Sequence, residues 1–454
     1  MRVVVAGGGI TGLAAAHALA RAGADVTLVE RSSALGGKVS TEHVDGFTIE
    51  RGPDSFLTLR PAALALCREL GLTEDVTQPL DPDRIFIWHG GRLVPMPSGT
   101  GFGIPTRFVP FLMSPLFSPR EKLRAAMELA VPTRPSTGDV SIGAFLRRRF
   151  GDAVVDRLAG PLISGIYGAS VDELSLDALM PRLRDAEEQH GSLVRAGLAA
   201  RGTGRGSASP PLVTLRRGMG SLIDALAARL GRADVRVRTD LRCVGRAGSR
   251  YAAQLGDGTS IVADAVVLAT PAPAAARALA DIAPAAADAL ATLTYRGTAA
   301  ISLAYEARQL RRPLAGHGFL VPDGALPIAA CTWSSAKWPG RAPAGAVLLR
   351  ATIRSDALLK RGDDDLVEVA HRAVARTMAL EGAPALSRVA RWEGAMPRYT
   401  VGHLDRLVRI GAALLPFPGI VLAGAAYRGT GVPDCIAQGQ AAAMRILERE
   451  GVAV

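Results

Sequence analysis

The sequence predicts an α/β chain, α+β overall, and three observations carry that reading. A β-branched run, a glycine-rich loop and a helix-forming stretch follow one another at the N-terminus. A second strand then ends in an acid. Near the other end of the chain, a strand again runs into a glycine loop and a helix. Val3 to Ala6 is short, apolar and β-branched, as a buried parallel strand should be. Gly7-Gly8-Gly9-Ile10-Thr11-Gly12 comes next, and Leu13 to Ala22 then forms helix until Gly23 ends it. Asp25 to Glu30 is the second strand, with Val26, Leu28 and Val29 apolar.

This order has a mechanical reason. Gly7 permits a tight turn, Gly9 lets the backbone approach a pyrophosphate, and Gly12 lets the helix pack close to the strand. The pyrophosphate then sits on a positive helix N-terminus. Glu30 accepts hydrogen bonds from a ribose and repels a 2′-phosphate. The unit is Rossmann-like and dinucleotide-binding. A glycine-rich turn without ligand is the alternative, and the agreement of strand, loop, helix, strand and acid speaks against it.

The bulk numbers bound the rest. A chain of 454 residues calls for two or three interwoven domains. The net charge of +11 suits a polyanionic small molecule better than nucleic acid, because no DNA-reading motif is present. The longest basic cluster, Arg147-Arg148-Arg149, reads as a solvated helix face. Cys67, Cys243, Cys331 and Cys435 are scattered, which argues against a disulfide framework or zinc site and suits a reducing cytoplasm. No secretory leader fits before the first motif, and no run of about 18 apolar residues predicts a spanning helix. The seven histidines show no metal-ligand spacing, so no metal is expected. His17 reads as helix packing.

The next stretch narrows the dinucleotide. Arg31-Ser32-Ser33-Ala34-Leu35-Gly36-Gly37-Lys38 places a second glycine pair just past Glu30. It resembles the ExxxxxGGR element of FAD-dependent amine oxidases, phytoene desaturases and protoporphyrinogen oxidases. Lys38 stands where many members carry Arg, keeping charge but losing bidentate phosphate geometry. In those families the loop Glu50-Arg51-Gly52-Pro53-Asp54-Ser55-Phe56 lies along the flavin. At the far end, Ile420 to Gly424 is a strand running into a glycine loop that extends through Ile436, and Ala437 to Glu448 reads as helix. A helix N-terminus there can stabilise the anion of a reduced flavin.

Gly429-x-Gly431-Val432-Pro433-Asp434-Cys435-Ile436 resembles the C-terminal signature of the bacterial protoporphyrinogen/coproporphyrinogen oxidase family. So do Gly52 to Leu57, Pro161 to Tyr167, Ala330-Cys331-Thr332-Trp333, and Arg391-Trp392 with Met396-Pro397-x-Tyr399-x-Val401-Gly402-His403. The likeness runs from about residue 3 to 440 and is greatest to the Gram-positive, soluble form, whose members oxidise coproporphyrinogen III to coproporphyrin III. It implies FAD as cofactor, a porphyrinogen and oxygen as partners, hydrogen peroxide as by-product, the next haem-pathway enzyme as a further contact, and a monomer or homodimer. Cofactor binding is expected from Gly7, Gly8, Gly9, Ile10, Thr11, Gly12, Glu30, Arg31, Gly37, Lys38, Gly52, Pro53, Asp54, Ser55, Leu241, Gly431, Val432 and Pro433. Leu241 stands where the family makes a backbone contact to adenine.

The resemblance also implies three parts: an FAD domain from residues 1–75, 212–272 and 405–454; a mixed-sheet substrate domain from 76–104 and 273–404; and a helical, membrane-binding-like subdomain over 105–211. Strand signals lie at Val235 to Val237, Ile261 to Ala269, 296–305 and 345–355, and 201–211 looks like a mobile loop. Ile104 to Val131 is apolar and proline-broken. In membrane-associated relatives this region docks on the bilayer, and here it is read as packing around a greasy substrate entrance. Arg84 matches a position proposed to hold a propionate, which suits an arginine fork. Gly165 matches a glycine facing the macrocycle, and Thr332 and Trp333 resemble the pocket wall, with a core Trp as the alternative. Arg60 and Tyr167 are further candidates. No general base is identified. The rival readings are protoporphyrinogen IX as substrate, a flavin oxidase of amines or carotenoids, and a flavin- or porphyrin-binding protein without turnover.

Overall fold

Two sheets, built by different rules, organise the chain in a computed structural model that describes all residues except 81–83, 102, 106, 135–137, 203–211, 312 and 452–454. The first is five-stranded and parallel, in the order Asp234–Arg236, Asp25–Val29, Arg2–Ala6, Ala265–Leu268, Ile420–Leu422. Val3 to Ala6 and Ala265 to Leu268 are buried at every position, because helices cover both faces. Its strands come from three stretches separated by more than a hundred residues. The run expected as one strand from Ile261 to Ala269 is two. Ser260–Ala263 pairs antiparallel with Arg250–Leu255, and Ala265–Leu268 joins the parallel sheet. The chain changes sheet at Asp264, whose carboxylate accepts from the Arg2 backbone at 2.7 Å and pairs with Arg250 at 3.0 Å.

Helix limits also differ from expectation. The N-terminal helix spans Ile10–Arg21, so Ile10, Thr11 and Gly12 already belong to its first turn. The C-terminal helix spans Val432–Arg449, five residues earlier than read. Proline occupies its second position, where the fixed φ suits the helix and the missing N–H has no intrahelical partner to lose. The expected loop at 201–211 lies mostly outside the described residues, and its first two positions close the helix Leu193–Gly202.

The second sheet is mixed and seven-stranded: Leu386–Pro397, Tyr295–Glu306, Ala346–Ile353, Ala330–Thr332, Gly318–Leu320, Ile85–His89, Arg92–Pro95. Alternation sorts its side chains. Ile301, Leu303, Leu349, Ala351, Phe319 and Trp88 face the helix Asp363–Met378 and form a core with its Leu366, Ala370 and Val374. The opposite, front face is covered at one end by Phe47 and Ile49, which pack on Ala304 and Leu348. Ile87, on the same front face, belongs to the helical part. Between those covers lie Arg350, Thr332, Thr352, Ala330 and Ala300.

The helical part corrects the reading of Arg147-Arg148-Arg149 as a solvated face. Arg149 is fully buried. Its guanidinium donates to Glu128 Oε1 at 2.8 Å, Glu187 Oε1 at 2.9 Å and the Gly191 carbonyl at 2.8 Å. Glu128, also fully buried, accepts from the Leu193 backbone at 2.8 Å. Arg148 forks onto Glu187, with both contacts at 2.7 Å. Arg147 pairs with Asp156 and Asp172. The cluster ties helices together because its acids arrive from far along the chain. Of the apolar stretch after Ile104, Phe111, Leu116 and Phe117 are buried, while Val109, Leu112 and Met113 are exposed. No helix among the described residues is long and apolar enough to cross a membrane.

Removing one member of the buried network strands the others. Arg149→Ala should lower stability by about 3–5 kcal/mol, read as a fall in the urea midpoint of unfolding.

Candidate functional site

The N-terminal loop is shaped by three glycines that do different work. Gly7 has φ +102°, and a Cβ there would lie 2.7 Å from the Ala269 carbonyl oxygen. At Gly12 a Cβ would lie 1.8 Å from the Gly7 carbonyl oxygen, so the helix begins hard against the turn that precedes it. Gly9 is the opposite case, because a Cβ there would meet no heavy atom within 4 Å. Open space flanks the loop at that point, beside helix N–H groups that no side chain caps. Glu30 accepts from the Gly8 N–H at 2.7 Å and the Ser32 N–H at 2.8 Å, which fixes its carboxylate under the loop. Arg31 is exposed just beyond. Leu241 is close by, since the Thr239 N–H donates to the Glu30 carbonyl at 2.9 Å.

The second glycine pair lies directly on the first. Gly36 bridges to Gly9, its N–H donating to the Gly8 carbonyl at 2.8 Å, and a Gly37 Cβ would lie 3.5 Å from the Gly9 Cα. A Gly52 Cβ would lie 1.7 Å from the Lys38 carbonyl oxygen, so the third loop packs on the second. The Lys38 ammonium reaches across to the Ala395 carbonyl. Burial lowers its pKa, an effect partly offset by the nearby Cys435.

The C-terminal helix closes the site through residues the sequence reading missed. A Gly439 Cβ would lie 2.2 Å from the Thr11 carbonyl oxygen, so this glycine lets the two helices cross in near contact. Gln438 clamps the loop before the helix, donating to the carbonyls of Arg428 and Gly429, both at 3.2 Å, and to that of Asp434 at 3.3 Å. Tyr399 takes the Gly429 N–H at 2.8 Å and donates to the Ala425 carbonyl at 2.8 Å. The only sequence hint for Gly439 is the small-residue run around it, and Tyr399 sat in a quoted motif without a role. Gly431, Val432 and Pro433 lead into the helix whose Gly439 meets Thr11, and the buried Cys435 thiol donates to the Thr430 carbonyl at 3.9 Å. Burial pushes that thiol up to about 11.

Asp54 faces away from these loops. Its Oδ2 accepts Lys337 Nζ at 2.9 Å and Trp338 Nε1 at 3.1 Å. Burial opposes its ionisation, but Lys337 and Arg350 outweigh burial and hold the carboxyl well below the usual range. Ser55 Oγ donates to the other Asp54 oxygen at 2.8 Å. The Asp54 side chain therefore ties the loop to the short helix Ser334–Lys337 that follows the strand Ala330–Thr332. Arg60 pairs with Asp434, and both charges act on the half-buried Tyr167.

The expected substrate residues fall in different places. Thr332 is on the front face, in one row with Arg350, Gly318 and Ile85. Arg84 precedes Ile85 at the outer end of that row. It is exposed, and the His317 N–H holds its carbonyl at 2.8 Å. A Gly165 Cβ would lie 3.9 Å from Leu320 of the next row. Trp333 is a correction. It is 5% exposed and packs on Phe86, ring centroids 5.4 Å apart, in the core behind the sheet. The chain turns at the end of its strand and carries Trp333 to the back face.

The three glycine loops and the acid fit a dinucleotide, with open space at Gly9. Residues 10–447 match the family described as flavin containing amine oxidoreductase. The chain belongs to this family. The coproporphyrinogen III oxidase of Propionibacterium freudenreichii subsp. freudenreichii is 40% identical over 98% of this chain and 90% of that protein. The coproporphyrinogen III oxidase of Bacillus subtilis is 35% identical over 97% of this chain and 96% of that protein. A solved structure from Exiguobacterium sp. 255-15, 35% identical, has a TM-score of 0.88 over 99% of both chains. FAD is therefore the cofactor of this flavin oxidoreductase.

Gly9 and Gly12 separate fold from cofactor. Gly9→Ala should leave the thermal midpoint of the flavin-free protein unchanged while lowering flavin content. Gly12→Ala should lower both. Absorbance of bound flavin per protein checks this, and full flavin content in Gly9→Ala would place the cofactor elsewhere.

Proposed function

We propose that this chain oxidises coproporphyrinogen III to coproporphyrin III in haem b biosynthesis. The observation that carries the reading is the front face of the mixed sheet. Between its covers it carries the half-buried small side chains Ala330, Thr332 and Thr352, with buried Ala300 beside them, and it borders the loop that Asp54 ties down. A flat floor of that kind suits a macrocycle, and the near full-length likeness to two coproporphyrinogen III oxidases supports the same substrate.

The chemistry supplied by bound FAD is two-electron oxidation, with three rounds needed per macrocycle, oxygen as acceptor and hydrogen peroxide as by-product. The protein binds, orients and excludes water. Residues 1–75, 212–272 and 405–454 are assigned to the FAD domain, 76–104 and 273–404 to the substrate domain, and 105–211 to the helical part. The N-terminal turns of the first and last helices would hold the diphosphate and the flavin, with Glu30 on the ribose and the Leu241 backbone near the adenine. Thr332 and Gly165 would border the macrocycle, and Arg84 would take a carboxylate at the rim. A reducing cytoplasm suits the four free cysteines.

Anaerobic mixing with coproporphyrinogen III should bleach the flavin, and aerobic mixing should give porphyrin fluorescence. Protoporphyrinogen IX, run in parallel, tests the two-carboxylate alternative. Failure of both substrates to bleach the flavin overturns the reading. Arg84→Ala should raise KM about tenfold, the loss of one charged hydrogen bond, with flavin content unchanged; an unchanged KM removes Arg84 from the site.

A further inference from the structure

The front face carries three arginines that the fold does not use as ion pairs. Arg350 and Arg354 lie on the strand Ala346–Ile353 and just past its end, four residues apart and on the same side of the sheet. Strand rise separates them by about 13 Å. Thr352 lies between them, with Ala300 and Ala330 to either side in register. Arg296 sits near Arg354, close enough for the two cations to repel. None of the three forms an ion pair among the described residues, although ion pairs engage many of the other arginines. Arg350 is compensated in part by Asp54.

Arg354 is only partly satisfied. Nη1 donates to the Ser164 carbonyl, next to Gly165, while Nε is buried without a partner. Burial lowers its pKa; the exposed Asp323 opposes that shift, and Arg296 adds to it. A buried guanidinium with an orphan donor and a cation beside it is costly unless an anion completes it. The anion must be planar and able to take two parallel N–H donors, which describes a carboxylate.

We propose that Arg354, with Arg296 beside it, is a carboxylate-binding pocket at the Gly165 end of the front face. It holds a propionate other than the one assigned to Arg84, which stands just beyond Ile85 at the end of the Arg350 row, two rows from Arg354. This rests on the porphyrinogen reading of the site and adds a basis for selecting a macrocycle with four carboxylates over one with two. The spacing fits: Arg350 and Arg354 flank the small-residue floor at a separation comparable with the width of a tetrapyrrole.

The test uses the full-length flavoprotein and product binding, so that it does not depend on turnover. Binding of coproporphyrin III, its tetramethyl ester and protoporphyrin IX is measured by fluorescence quenching. Arg354→Gln should weaken coproporphyrin III about tenfold, as expected for one charged hydrogen-bonded contact. The ester should bind as it does to the parent protein, Arg354→Lys should fall between, and the preference for coproporphyrin III over protoporphyrin IX should shrink by the same factor. Equal coproporphyrin III affinity in variant and parent overturns the proposal. So does an equal loss for ester and acid, which would leave Arg354 as a brace on Ser164, and so does an unchanged preference. If Arg354→Gln loses its flavin, Arg296→Gln is judged by the same criteria. A parent protein that binds coproporphyrin III through Arg354 yet does not oxidise coproporphyrinogen III sinks the proposed reaction and leaves the pocket standing.

Discussion

Everything in the cofactor region depends on a steric constraint at Thr11. The carbonyl of Thr11 is where the last helix crosses the first, and only the missing side chain of Gly439 allows that crossing. One residue later, the missing side chain of Gly12 seats the first helix on its own turn. These absences pack the first turn of one helix against the body of another from a distant part of the sequence.

A second constraint joins this spot to the mixed sheet. Asp54 reaches from the cofactor side into Lys337 and Trp338, in a pocket where an unpaired charge would be expensive. The bond sets where the loop backbone stands relative to Thr332 and Arg350. The cofactor loops and the small-residue floor are thus registered by one buried carboxylate.

Local signals made the first sheet legible. β-branched runs bounded by glycines have few alternatives, and glycine spacing carries the steric logic of the loop. The last helix was begun too late because Gly-Val-Pro reads as loop, although proline suits a first turn. Arg147-Arg148-Arg149 read as solvated because Glu128 and Glu187, which bury them, lie 21 to 39 residues away. Trp333 sits next to Thr332 in sequence but behind the sheet in space, since the strand ends between them. Arg296 and Arg354 gave no signal at all. Which face they occupy depends on pairing with distant strands and on an irregularity between Arg296 and Thr298.

The parallel sheet takes its edge strand, Ile420–Leu422, and the helix that follows from the final part of the sequence described. During synthesis, the nascent chain therefore exposes a sheet lacking one edge, and a first helix lacking its partner, until residues 420–449 have emerged. Vectorial folding cannot close the first helix early; its contact with Gly439, more than four hundred residues on, must wait for that helix. Until then the side of the Ile10–Arg21 helix that the last helix covers stays open, although its other side already packs on the sheet and on the helix Gly220–Ala228.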